Sequence, residues 1–130
     1  MITTAGLHAI VGLFGSTDTP VDFTYVAYGS GTTAAAASDT TLGTETQRAL
    51  AAFKRKSVLK PDDTWTFTKH FVTTAAGSCT EIGLFTASSN GTMLLRTLPV
   101  SPTTYTAGET LTVTVDVTVK NYACGTGATW

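Results

Sequence analysis

The residues with the greatest capacity for chemistry are few: two histidines, two cysteines, nine carboxylates and eight Lys or Arg in 130 residues. Neither His8 nor His70 sits in a metal-spaced set with Cys, Asp or Glu. His8 rims a helical stripe, and His70 falls on the threonine face of an alternating run, where a solvated histidine needs no catalytic explanation. A Ser-His-Asp triad would assemble in space rather than in sequence, but the strained Gly-x-Ser-x-Gly elbow is missing. Gly29-Ser30-Gly31-Thr32-Thr33-Ala34 fits the permissive form of a dinucleotide-binding turn. That site needs a helix immediately afterwards, and Ser38-Asp39-Thr40 and Gly43 interrupt one, so a glycine-rich turn is the better reading. Asp62-Asp63 would point to opposite sides of an extended chain, and a turn accounts for the pair. These residues lead to the expectation of a protein that is not an enzyme, with no catalytic residue, cofactor or metal ligand.

Three other groupings call for contact rather than reaction. Arg48, Lys54, Arg55, Lys56 and Lys60 are five of the eight basic residues, with no acid from Gln47 through Pro61. Such a cluster meets an acidic protein surface or protects a sheet edge from aggregation. Aromatic interleaving is limited to Phe53, so direct nucleic-acid binding is not expected. Cys79 lies just before one expected strand and Cys124 just after another, positions that meet if the strands are antiparallel neighbours. A disulfide there would close a loop of about 45 residues and contribute roughly 4 kcal/mol; two unpaired thiols are the alternative expected after cytoplasmic synthesis. Trp130 ends a Gly-Thr tail, expected to be flexible over 121–130, and must fold back or anchor in a neighbour's pocket. Arg48, Lys54, Arg55, Lys56 and Trp130 are therefore the candidate interface residues.

The elements that must position these groups follow from composition and period. Threonine supplies 29 of 130 residues while charged residues make up 13%, so polar faces are built from hydroxyls. Threonine is β-branched and suits a pleated, half-exposed surface. Net charge is -1, pI about 6.0 and mean hydropathy +0.17, which excludes disorder and any global attraction to nucleic acid or an anionic membrane. No basic leader follows Met1 and no apolar run has transmembrane length, so synthesis in a cytoplasm is the expectation.

Thr3 or Thr4 caps an expected helix within residues 1–15, with Leu7, Ile10, Val11 and Phe14 along one stripe. Asp22 to Tyr28 reads as a strand, and Gly29 to Thr44 as a long surface connection with one apolar anchor, Leu42. Gln47 to Lys60 half-fits both helix and strand. Thr64 to Phe71 alternates Trp65, Phe67, Lys69 and Phe71 against Thr64, Thr66, Thr68 and His70. A turn follows at Ala75 to Ser78, then strands Thr80 to Ala87 and Thr92 to Leu98 flank an Asn90-Gly91 hairpin turn. After a loop bracketed by Pro99 and Pro102, Leu111, Val113, Val115, Val117 and Val119 form an aliphatic face against Thr110, Thr112, Thr114, Asp116 and Thr118. A long strand buried on one side implies antiparallel sheets packed face to face. The expected fold is all-β, a single 1–130 domain forming an antiparallel β-sandwich or barrel with one short N-terminal helix. Glu81 and Arg96 face each other across the hairpin in some registers and are expected to form a structural ion pair, since Arg96 lies inside an apolar run.

Several blocks together resemble small structural proteins of tailed-bacteriophage virions. They are Gly29-Ser30-Gly31-Thr32-Thr33 followed by Ser38-Asp39-Thr40-Thr41-Leu42, Glu45 and Arg48; Thr80-Glu81-Ile82-Gly83-Leu84-Phe85 with Asn90-Gly91-Thr92-Met93-Leu94-Leu95-Arg96; the strand opening at Glu109; and Ile2 to Leu7 at the start. Proteins of this look occur as capsid decoration (cement) proteins and as tail or fibre components. The resemblance implies a virion protein, made in a host cytoplasm, whose partners are copies of itself, expected as a homotrimer, and the major capsid protein or another virion protein. As a decoration protein it would bind across capsomers and stabilise the head. As a tail-tip or fibre module it would bind a host glycan or protein, with Tyr25, Tyr28 or Tyr105 lining an exposed groove. A small β-sandwich hydrolase or lyase is the third reading and needs an acid-base set around His8 or His70.

Overall fold

The computed structural model of the protein describes residues 1–15 and 22–120. One helix, α1 (Thr4–Gly15), precedes nine strands: β1 (Tyr25–Gly29), β2 (Glu45–Leu50), β3 (Ala52–Lys56), β4 (Thr64–Val72), β5 (Gly77–Cys79), β6 (Glu81–Phe85), β7 (Met93–Thr97), β8 (Thr103–Tyr105) and β9 (Thr110–Thr118). All pairings are antiparallel. They make a four-stranded sheet in the order β2-β1-β6-β7, a three-stranded sheet β3-β4-β9 and a ribbon β5-β8. The fold is thus all-β and antiparallel with one short helix; the sheets do not close into a barrel.

The period-2 face of β9 does what its aliphatic pattern dictates. Leu111, Val113 and Val115 join Phe67 and Phe71 of β4 in one buried cluster with Val26 and Tyr28 of β1 and Leu84 of β6, so the two larger sheets share a core as a sandwich. Each large apolar side chain fully buried there stabilises the fold by about 1.5–3 kcal/mol. Cys79 and Tyr105 of the ribbon complete the cluster. The stretch that fits neither helix nor strand cleanly is two strands in different sheets. Only Ala51 lies between β2 and β3; it is buried, and its amide donates to the Thr24 carbonyl at 2.9 Å. The periodicity breaks there because the side-chain alternation restarts in another sheet.

Sheet length explains a second departure from the sequence pattern. β4 and β9 have nine residues each, against five in β1 and β6. At about 3.4 Å per residue, the longer strands overrun the facing sheet by roughly 14 Å. Trp65, in phase with Phe67 and Phe71 on the same face of β4, is consequently 43% exposed.

The hairpin forms, but over a longer connection than the tight turn expected: residues 86–92 join β6 to β7, the Thr86 amide donates to the Thr92 carbonyl at 3.1 Å, and Asn90 at φ 52° and Gly91 at φ 71° supply the left-handed bend inside it. Asp62 also has positive φ, at 55°, and Asp63 accepts the Val58, Leu59 and Lys60 amides at 2.8–2.9 Å. Those bonds, led by Val58, pull the Asp63 pKa down to about 2. The acidic pair is a turn device.

The helix is placed differently from its sequence stripe. Thr3 is its N-cap: its hydroxyl accepts the Gly6 amide at 2.9 Å and donates to the Met93 carbonyl. In β7 the register skips one residue between Leu95, opposite Leu84, and Met93, opposite Phe85, leaving Leu94 as a bulge. The Leu94 carbonyl there accepts the Thr3 amide at 2.9 Å. Gly6 packs so closely that an added Cβ would lie 2.5 Å from the Leu94 oxygen. The glycine face of α1 is therefore buried, and of the expected core stripe only Ile10 packs against the core, half-buried, while Leu7, Val11 and Phe14 are exposed.

Candidate functional site

The densest polar construction in the fold is built on the outer face of the four-stranded sheet. β2, β1, β6 and β7 align Arg48, Ala27, Gly83 and Arg96, respectively, in one row. The small residues in the middle of that row leave a slot, which Leu42 fills with Ala27, Phe85 and Met93 around it. A Cβ on Gly83 would stand 2.9 Å from Leu42 Cδ2 and 2.8 Å from Phe85 Cε2. Leu42 therefore anchors the 30–44 connection against the sheet.

Glu81 and Arg96 fasten that connection. They are diagonal rather than directly opposite neighbours, since Gly83 faces Arg96, and Arg96 Nε donates to Glu81 Oε2 at 2.8 Å. Glu81 is 0% and Arg96 2% exposed. Glu81 also accepts the Gly31 amide at 2.9 Å, Gly43 at 2.8 Å and Thr44 at 2.7 Å. Arg96 donates to Asp39 Oδ2 at 3.0 Å and to the carbonyls of Thr33 at 2.9 Å and Ala34 at 3.4 Å. Burial alone would raise the Glu81 pKa, but the amides of Thr44, Gly43 and Gly31 with the Arg96 guanidinium hold it below its usual value. The Ala36 amide and Arg96 likewise lower Asp39. Desolvation opposes the Arg96 charge, yet Asp39 and Glu81 raise its pKa above the ordinary value. The glycine-rich turn thus binds an anion, and that anion is the protein's own Glu81 carboxylate.

Arg48, grouped by sequence with the basic cluster, does not join it. Its side chain is nearly buried, paired with Glu45 at 2.6 Å, and donates to the carbonyls of Ala87 and Asn90. Its guanidinium also lies 3.5 Å from the Phe85 ring centroid. The β2 register points it onto the sheet face, where it braces the hairpin turn, a structural part the sequence grouping with the basic cluster does not foresee. Lys54, Arg55 and Lys56 are together on β3 and exposed.

The histidines remain on the surface: His8 is exposed on α1, and His70 Nδ1 lies 2.8 Å from Thr112 Oγ1 across the β4–β9 ladder. Among the described residues no group of three or more His, Cys, Asp or Glu could hold a metal ion, and no helix is long and apolar enough to cross a membrane. Cys79 is buried, which pushes its thiol pKa up; Cys124 and Trp130 lie outside the described residues. Tyr28 and Tyr105 border a pocket of about 160 Å³ with Thr46, Gly77 and Ser78. Both rings are buried and meet edge-on at 5.8 Å, so neither presents an open face for stacking. Tyr28 Oη has no hydrogen-bond partner among the described residues, and burial followed by proximity to Tyr105 raises its pKa to about 12.

Sequence reading missed Asp39 as a third member of the ionic group and the glycine amides as its donors. The available signal was a Glu within the apolar strand Thr80 to Ala87 and glycines on both sides of Leu42, whose free amides can serve a carboxylate. No family model, curated protein or solved structure matches the chain.

Proposed function

We propose that this protein is a structural component of a tailed-bacteriophage virion, a decoration protein that seats on the head as a homotrimer and ties neighbouring capsomers together. The observation that carries the reading is the outward face of α1. Leu7, Val11 and Phe14 are 52, 58 and 85% exposed on a helix with no Asp, Glu, Lys or Arg. Covering what remains exposed of these side chains contributes about 1–2 kcal/mol each, half or more of the value for full burial, which favours contact with protein and is multiplied by symmetry.

Further support comes from the residues that carry the virion resemblance. Gly31, Asp39, Leu42, Glu45, Arg48, Glu81, Gly83, Phe85 and Arg96 all take part in the loop anchor and its bracing. They hold a rigid frame rather than a reactive centre, as an adhesive subunit requires. A tail-tip role in glycan adsorption draws less support, because Tyr28 and Tyr105 do not form an exposed stacking groove.

Sedimentation velocity over a concentration series, with pelleting on expanded and unexpanded capsid shells, tests the reading. A trimer that binds expanded shells, and a Val11→Asp/Phe14→Asp variant that stays folded but loses both behaviours, is the expected result. A monomer at high concentration that ignores shells overturns it, and selective binding to isolated tails replaces it with the tail reading.

A further inference from the structure

β3 is the outer strand of the β3-β4-β9 sheet, and all five of its residues are exposed. An edge strand offers outward N–H and C=O groups at alternate residues, a template for one more strand. Its side chains divide by register. Lys54 and Lys56 stand beside Thr66 and Thr64 on the outer face, whereas Phe53 and Arg55 stand beside Phe67 and Trp65 on the overrunning inner face. Phe53 is 51% exposed with its ring 5.9 Å from Trp65, and the Arg55 guanidinium lies 5.7 Å from the Trp65 centroid. An open groove of about 310 Å³, lined by Ala52, Phe53, Lys54, Thr66 and Thr68, runs alongside. Of the three consecutive cations only Lys56 meets a carboxylate among the described residues, Asp116 at 2.8 Å.

We propose that the β3 edge takes up an extended acidic segment of another protein by strand addition, in a sequence where acidic and apolar residues alternate. Charge complementarity selects the occupant. A second copy's β3, paired antiparallel about Arg55, would set Lys54 opposite Lys56 twice, and like charges directly opposite destabilise a ladder. A nucleic acid would meet the cations but leave the outward amides without a ladder partner. In an added strand, carboxylates at alternate positions face Lys54 and Lys56, while the intervening side chains fall on Phe53, Arg55 and Trp65. Main-chain bonds then provide adhesion and the alternation provides specificity. This inference is independent of where the protein sits on a virion.

The test uses the full chain with a labelled eight-residue peptide alternating Glu and Val, a composition-matched peptide with its four Glu contiguous, a Lys/Val counterpart and a single-stranded oligonucleotide. The alternating acidic peptide is expected to bind at least tenfold more tightly than the other three and to slow hydrogen exchange at Ala52–Lys56. Lys54→Glu/Arg55→Glu, at exposed positions and with unchanged melting, should lose that binding at least tenfold and gain the Lys/Val peptide. Equal binding of the contiguous peptide, tighter binding of the oligonucleotide, no binding at about 1 mM peptide, or unchanged exchange in β3 of the unaltered protein each overturns the proposal.

Discussion

Arg96→Met removes the only cation touching the fully buried Glu81 among the described residues and strands a carboxylate that retains its three amide donors. It also deprives the Thr33 carbonyl and Asp39 of the guanidinium that draws them to the sheet. Breaking a buried pair by deleting one partner costs about 3–5 kcal/mol, because the remaining charge is uncompensated. Against a total stability of about 5–15 kcal/mol, that is a large fraction. For a chain of this length it corresponds to a fall of roughly 10–20 °C in Tm. Chemical denaturation followed by circular dichroism measures the loss directly, and limited proteolysis reports whether cleavage moves into 32–44. Glu81→Gln with Arg96→Met removes both charges together. The pair should therefore cost less than the sum of the two single changes, by a coupling of about 0.5–3 kcal/mol. A single Arg96→Met variant within about 1 kcal/mol of the parent, or strict additivity, refutes the account of Glu81 and Arg96 as one unit.

Acid stability follows from the same groups. Glu81, Asp39 and Asp63 have folded pKa values below their ordinary ones, Asp63 at about 2, so their contribution is present above the usual carboxylate range of about 4 and is lost as pH falls through the depressed values. Melting temperature should be level from about pH 7 to 5 and drop steeply between about 4 and 2; a level profile down to pH 2 contradicts the assignment. Gly83→Ala, whose Cβ meets Phe85 and Leu42, should destabilise by about 1–3 kcal/mol and speed hydrogen exchange in 40–44. Thr3→Val should cost about 1–2 kcal/mol and lower helicity, since it removes the cap and the tie to the β7 bulge together; unchanged helicity would leave the cap without a role.

The sequence-level legibility of this fold depends on how local each signal is. The aliphatic alternation of Leu111 to Val117 and the left-handed bend at Asn90-Gly91 act through neighbours in the chain, so the long strand and the hairpin are both present, the hairpin with a longer connection, 86–92, than the pair alone would specify. β5 and β8 have no strand signal in the sequence because each is three residues long, too short for a period to register. Alternation gives Trp65 its face but not whether the opposing sheet reaches that far. The helix differs for a related reason: its apolar stripe is the larger signal, but the close approach to the β7 bulge needs Gly6, and of the stripe that leaves only Ile10 against the core. In the candidate site, the hairpin made Glu81 and Arg96 legible as partners, whereas Asp39 and the Gly31 and Gly43 amides approach from a connection without regular structure. Arg48 was grouped by sequence proximity with cations from which its strand turns away.

The single-residue passage at Ala51 has a mechanical consequence. A force applied along β3 passes within one peptide unit into β2 of the opposite layer, with no slack loop to absorb it. Sliding one layer past the other would have to strip β2 from β1 or β3 from β4, so the weaker of those two ladders sets how far this margin can be pulled.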